Sequence, residues 1–505
     1  MNCRDAFYPP PTVTVPSSPW RNWSGTQEVY AKSVVRPRTL ADLQCVIREA
    51  TERKGKARVV ATGLSFSDIL QADDTLIEAT GLMGEGGSVL LPLERELWRD
   101  PNHAEPLVRV VCGARIRHLN ASLACAGLGF TNLGGYDGQT LIGAISTSTH
   151  GSGLKIPPLC DGVCGLDLVS TGGRFVRLEP SNGLTCPKKY ADRYGEPRTL
   201  IQNDDHFWAA VVSLGCMGVI YSVTMKVRAA YRLRERRTMR KWRDVRTELC
   251  SSATPLDHVR NYEVAINPYR RRDQDFSCLV TERWLAEPSD ATVPLPEGRR
   301  QAENLTFTPA AQSSIQALMN SEPRLIAGIL ETGLEALETK TDHVDDSFVV
   351  YNVGKINDAD VVSGEYFFPM AGGRYLAGIQ TILAAIEANR STGIYQTTPL
   401  ALRFVKHSRA MLSMAQSEPH ATVEMSLWRH QPGAVEALIS YERACMASGG
   451  RPHWGQLHLL TGRKAWFAGA YPRHKTWLRV HDHYNDQHVF DNHFTDRVIK
   501  GVSRT

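Results

Sequence analysis

Between Leu133 and Gly153 the chain reads Leu-Gly-Gly-Tyr-Asp-Gly-Gln-Thr-Leu-Ile-Gly-Ala-Ile-Ser-Thr-Ser-Thr-His-Gly-Ser-Gly, and no other stretch limits the possible folds as strongly. Glycines at 134, 135, 138, 143, 151 and 153 let the backbone turn sharply and lie against a flat ligand, because no Cβ holds the two apart. The hydroxyls of Thr140, Ser146, Thr147, Ser148, Thr149 and Ser152 add donors for phosphate or ring carbonyls. Such a loop cradles a large cofactor. A P-loop would need Lys-Ser/Thr after its last glycine and a Rossmann turn the G-x-G-x-x-G spacing, and neither is present. A glycine-rich surface loop is the other reading of a lone cluster. The motifs around it decide between the two.

At 505 residues the chain exceeds one small core, which predicts two domains or one large domain with a substantial insertion. A net charge of +5 is modest for this length, so nucleic-acid binding is not indicated. The densest basic run, Arg234 to Lys241, reads most simply as a solvated linker, with contact to an anion as the alternative. Residues 1–19 are polar and proline-rich and read as a flexible lead-in, with no apolar run long enough for a signal peptide or a membrane span. Eleven scattered cysteines without a C-x-x-C pair argue for reduced thiols, against a disulfide framework or a metal site, and so for a cytoplasmic protein.

Periodicity gives the order of elements. Ser33 to Pro37 reads as a strand, and Thr39 to Arg53 as a helix with Leu40, Leu43, Val46 and Ile47 on one face and Thr39 as N-cap. The strand Ala57 to Ala61 runs into Thr62-Gly63-Leu64-Ser65-Phe66-Ser67, a tight hydroxyl-bearing turn. Leu107 to Cys112 is a strand and His118 to Ala126 a helix closed by Gly127. Gly165 to Ser170 and Arg174 to Leu178 form a hairpin about Gly172-Gly173. Phe207 to Val212 is a helix, followed by the strand Val219 to Val227. The texture then changes to longer strands, Glu263 to Pro268, Phe276 to Glu282, Gly364 to Pro369, Thr398 to Val405 and Thr422 to Trp428. Helices Ala310 to Leu337 and Arg374 to Arg390 lie between them, and residues 287–312 read as a surface excursion.

Four motifs in the first half, in this order, resemble the vanillyl-alcohol oxidase type of flavoprotein, in its sugar-lactone and alditol oxidase branch. Asn22-Trp23-Ser24-Gly25 resembles that branch's opening, Ala61 to Ser67 its pyrophosphate loop, Gly134 to Gly153 its flavin-embracing loop, and Leu214 to Ile220 the segment closing its cofactor domain. Near the other end, Arg451-Pro452-His453-Trp454-Gly455 resembles its His-Trp-Gly-Lys element. The resemblance implies an α+β fold: a PCMH-type FAD-binding domain over residues 20–228, an antiparallel-sheet cap domain for the substrate over 229–470, and a carboxyl-terminal return over 471–505. It implies FAD as cofactor. The implied cofactor-binding residues are Thr62, Gly63, Leu64, Ser65, Phe66 and Ser67 on the first turn; Gly134, Gly135, Gln139, Thr140, Gly143, Ala144, Ser146, Thr147, Thr149, His150, Gly151 and Gly153 on the second; and Gly215, Gly218, Val219 and Ile220.

Three departures sharpen the expectation. The family's pyrophosphate turn commonly reads Gly-His-Ser with its histidine bonded to the flavin, whereas position 64 is Leu, which has no nucleophilic nitrogen. A dissociable FAD follows, with His150 read as a supporting residue. The family's Glu-x-Arg becomes Ala401-Leu402-Arg403, and the residue after His-Trp-Gly is Gln456. A less polar pocket is therefore expected, and a substrate other than a plain sugar lactone or alditol. The resemblance assigns Arg403 to stabilise charge on the reduced flavin, His453 to take the substrate's proton, and Gln456 to orient the reacting oxygen. Glu365 and Tyr366 are further candidates, and Glu424 or Tyr395 could replace what the cap lacks. The chain thus reads as an FAD-dependent oxidase or dehydrogenase acting on a C-OH or C-NH group of a small molecule, with oxygen or another electron acceptor. An aldonolactone enzyme of the D-arabinono-1,4-lactone oxidase type and a flavin-binding scaffold without turnover are the alternatives.

Overall fold

In a computed structural model, the described residues are 12–251, 254–295, 309–352, 360–460 and 464–500. Part of the 287–312 excursion and the last five residues lie outside them. Thr39 starts the first helix, Leu40–Glu52, with a full capping box: its hydroxyl accepts from Asp42 N while the Asp42 carboxylate accepts from Thr39 N. That helix buries Leu43, Val46 and Ile47. They join a core with a four-stranded sheet ordered Thr12–Thr14, Ser33–Arg36, Thr75–Glu78, Ala57–Val60. The lead-in is therefore ordered from Thr12, which pairs with Arg36 at the sheet edge.

A six-stranded sheet follows, ordered Arg198–Gln202, Arg174–Glu179, Val163–Ser170, Val219–Lys226, Leu107–Val111, Leu90–Leu91. Its central hairpin is the expected one, and Gly172 and Gly173 turn it with φ of 75° and 72°. The helix His474–Tyr484 returns to this half, where Trp477 Nε1 donates to Ala209 O at 3.1 Å.

The second half is built on eight strands, every neighbouring pair antiparallel. Their order is His343–Asp346, Arg232–Lys241, Ser277–Leu285, Asn261–Ile266, Leu400–Val405, His420–Trp428, Val361–Pro369, Arg451–Pro452. Side chains alternate between its faces. Leu400, Leu402, Phe404, Val423, Met425, Tyr366 and Phe368 enter one core, beneath the helices Arg374–Ser391 and Ala434–Ala447. Arg403, Glu424, Ser363 and Glu365 occupy the alternate positions and so share the other face.

The run Arg234 to Lys241 is not a linker but part of the ten-residue strand Arg232–Lys241. Alternation explains it. Glu235 and Arg237 point inward, where Glu235 accepts from Arg283 at 2.7 Å and Arg283 donates to Glu263 at 2.7 Å. Charged residues on alternate positions have therefore been paired across a sheet rather than solvated. The helix expected over 310–337 is two helices, Pro309–Ser321 and Ile326–Ala336, broken where Pro323 cannot donate a backbone hydrogen bond.

Candidate active site

The turn after strand Ala57–Val60 is positioned by the amino-terminal motif. Trp23 N donates to Gly63 O at 2.9 Å and Asn22 Nδ2 to Ser65 O at 2.9 Å, while Gly63 adopts φ +65° with the Trp20 ring where a Cβ would stand. Two of the turn's expected cofactor donors are otherwise engaged. Phe66 N donates to Gly455 O at 2.8 Å and the buried Ser67 hydroxyl to Trp454 O at 2.7 Å, so both residues fasten the turn to His453-Trp454-Gly455. Among the described residues, the N–H groups of Gly63, Leu64 and Ser65 have no protein acceptor. Consecutive free amides of this kind suit a pyrophosphate.

The glycine-rich stretch is not one loop. Thr140 caps a short helix, Leu141–Ser146, by accepting from Gly143 N, and Ala144 lies within it. Thr147 Oγ1 donates back to the Gly143 and Ala144 carbonyls and lies 3.4 Å from Thr149 Oγ1. Among the described residues, the amides of Gly134 and Gly135 likewise lack an acceptor. Gln139 contributes its carbonyl to Ile116 N. Several glycines are needed for protein packing rather than for ligand approach. A Cβ on Gly151 would lie 2.3 Å from Leu133 O, on Gly153 2.9 Å from Arg260 O, and on Gly218 2.5 Å from Val169 O. Gly215 supplies a carbonyl to the buried Arg58, and Val219 and Ile220 pair with Val169 and Leu168.

The same stretch meets the cap sheet. Gly153 N donates to Phe404 O at 2.6 Å, and Ser152 Oγ to Tyr262 O at 2.6 Å. This places His150 against the sheet's polar face. His150 Nδ1 lies 2.8 Å from Gly151 O and Nε2 3.3 Å from Glu365 Oε1. Glu365 Oε1 also lies 3.5 Å from Arg403 Nη1, which donates to Glu424 Oε2 at 2.8 Å. Ser363 Oγ and Gln456 Nε2 reach Glu424 Oε1 at 3.1 and 3.4 Å. Burial opposes ionisation of Glu365, but His150 foremost, with His453 and Arg403, offsets it and holds the carboxyl well below its usual range. Burial likewise opposes the charge on Arg403, and Glu424, Glu365 and Glu263 outweigh it and raise the guanidinium.

His453 is fixed by its backbone, which donates to Glu365 O at 2.9 Å, and its ring stacks near Phe367. Gly455 N donates to His453 Nδ1 at 3.1 Å. The neutral ring therefore carries its proton on Nε2 and presents a donor. Burial lowers its pKa to about 4. This differs from the proton-accepting role suggested by the sequence: the lone pair needed for it is already in use.

Of the other candidates, Tyr366 points to the opposite face into the cap core, and Tyr395 packs against that core. The less polar pocket expected from Ala401 is not found, because Glu424 stands directly opposite Ala401 in the strand register. Sequence spacing could not reveal this, since the two residues are joined only through sheet pairing.

Comparison with known proteins accords with this geometry. A family model described as D-arabinono-1,4-lactone oxidase matches residues 223–498, and one described as FAD binding domain matches residues 31–179. An L-gulono-1,4-lactone dehydrogenase of Mycobacterium tuberculosis is 28% identical over 492 residues, covering 95% of this chain and 99% of that protein. An L-gulonolactone oxidase of Mus musculus is 22% identical over 483 residues, covering 95% and 98%. Among solved structures, a solvent-stable cholesterol oxidase superposes with a TM-score of 0.72 at 13% identity, covering 97% of this chain and 98% of that one. A cholesterol oxidase from B. sterolicum gives 0.70 at 16% identity, covering 97% and 100%.

Proposed function

This chain belongs to the D-arabinono-1,4-lactone oxidase family of FAD-dependent oxidoreductases acting on CH–OH groups, and from that premise we propose that it oxidises an aldono-1,4-lactone. The carrying observation is the cluster of Arg403, Glu424, Glu365 and His453 on the polar face of the cap sheet, tied directly to both cofactor-facing turns. FAD, when bound, accepts a hydride. The free amides of Gly63, Leu64, Ser65, Gly134 and Gly135 would hold it.

The protein's own groups then have distinct tasks. Arg403 supplies permanent positive charge beside the reaction centre, oriented by two carboxylates. His453 donates from Nε2 to the reacting oxygen, which gives up its own proton to solvent as the hydride leaves the carbon. Glu424 and Gln456 supply polar contacts, which supports a lactone over a less polar substrate and weighs against a scaffold that has lost its site. The substrate's two electrons pass on to oxygen or another acceptor.

The flavin is held without a covalent bond. Leu64 offers no nucleophile, and both His150 nitrogens face oxygen atoms of Gly151 and Glu365. The second hydrophobic core supports a cap within 229–470, and the first supports an FAD domain over 20–228 to which the described residues 471–500 return, with Met411, Leu412, Trp454 and Phe467 of the cap range packed into it. No helix among the described residues is long and apolar enough to cross a membrane. None of the ten described cysteines is in a disulfide; the cytoplasmic setting is our reading of the scattered thiols in the sequence.

The test is turnover of a panel of aldono-1,4-lactones, alditols and sterols, assayed with oxygen and with an artificial electron-accepting dye. Turnover confined to lactones is expected. Turnover of alditols or sterols with none of any lactone would refute the proposal.

A further inference from the structure

Three carboxylates surround Arg403 on the cap face; Glu263, opposite it in the register, is held by the buried Arg283 at 2.7 Å, and the other two differ in access. The side chain of Glu365 is 5% exposed, closed in by His150 and Arg403, whereas that of Glu424 is 21% exposed. Glu424 also keeps acceptor capacity. A carboxylate has about four lone-pair sites. Arg403, Ser363 and Gln456 take three of them, the last at a long 3.4 Å.

Around it lie polar atoms that the protein leaves unmet. Gln456 Oε1 and Thr422 Oγ1 are buried without a hydrogen-bond partner, and Thr422 is 0% exposed. Thr422 is paired with Arg403 and Glu424 with Ala401, so these groups share one side of two adjacent strands. Buried polar atoms without partners are costly. Donors supplied by a ligand satisfy them.

We propose that Glu424, with Gln456 beside it, is the group that receives the ring hydroxyls of the sugar lactone, the methyl of Ala401 across the strand leaving room for them. Opposed residues on antiparallel strands have Cβ atoms about 5 Å apart, so a carboxylate from either strand reaches the same volume. Adjacent hydroxyls donate to Glu424 and to Gln456 Oε1, and Arg403, 2.8 Å from Glu424 Oε2, keeps the carboxylate oriented. The inference rests on the lactone reading above.

The test uses FAD-loaded full-length protein and the best lactone of the panel. Wild-type turnover is measured first; its absence with every lactone removes the lactone reading rather than this one. Glu424→Gln and Glu424→Ala are then compared for kcat and KM separately, with FAD affinity as the control. The expected result is a loss of about tenfold or more in kcat/KM, mostly through KM, at unchanged FAD affinity. The exchange Ala401→Glu with Glu424→Ala should recover part of that loss. Arg403 retains Glu365 as a partner in every variant, so the sheet stays intact. Wild-type kcat/KM in Glu424→Gln would overturn the assignment.

Discussion

The backbone N–H of Gly455 donates to Nδ1 of His453 at 3.1 Å, so the Nδ1 lone pair of this buried ring is engaged, and we propose that the ring acts as a donor rather than as a base. Its pKa, lowered by burial to about 4, keeps it neutral at ordinary pH. The pH profile of kcat/KM should therefore show no inflection near 6.5 that depends on residue 453. His453→Gln, which retains an N–H donor, should keep more activity than His453→Ala, which we expect to lose about a hundredfold. An inflection near 6.5 that vanishes in His453→Gln would contradict the assignment.

The glycine at 153 has a structural reason distinct from cofactor approach. Its φ is +139° and a Cβ would stand 2.9 Å from Arg260 O. Gly153→Ala should destabilise by about 2–4 kcal/mol, seen as a lower melting temperature. Gly328 supplies the control. It lies in the helix Ile326–Ala336 with nothing within 4 Å of where a methyl would stand, so Gly328→Ala should be neutral or gain about 0.5–1 kcal/mol. Equal melting temperatures for the two variants would refute the distinction.

Acid should weaken the fold. Burial lowers His420 and His458 each to about 3. Such groups are neutral in both states above about pH 6.5. Below it the unfolded chain takes up protons that the folded one refuses, so stability falls as pH drops from 6.5 toward 3. At pH 5 the loss is about 2 kcal/mol for each histidine. Glu365 acts in the same direction at lower pH, since its carboxyl is held down in the fold. Melting temperatures at pH 7.5 and pH 5 check this: a clear decrease is expected, and an unchanged value would contradict it.

Dissociable flavin is the fourth prediction. Acid precipitation should release all of the yellow colour to the supernatant, because neither Leu64 nor the doubly engaged His150 offers an attachment atom. Colour remaining in the pellet would refute it.

Local signals were legible in the sequence. Thr39 capping and the Gly172-Gly173 hairpin depend on residues close in the chain, and each appears where its spacing places it. The charged strand Arg232–Lys241 was not legible, because Arg283, the partner of its Glu235, belongs to another strand. The site divides in the same way. Arg403 and His453 could be found from motifs, whereas Glu424 could be placed only by pairing across the sheet, and the state of His453 only by a bond from Gly455.

The most direct measurement is anaerobic mixing of the FAD-bound protein with L-gulono-, L-galactono- and D-arabinono-1,4-lactones while the flavin absorbance is followed. At least one lactone is expected to bleach the flavin, and admitting an electron acceptor should restore its colour. Flavin that dithionite bleaches but no lactone does would contradict the assignment of this chain as a lactone-oxidising enzyme.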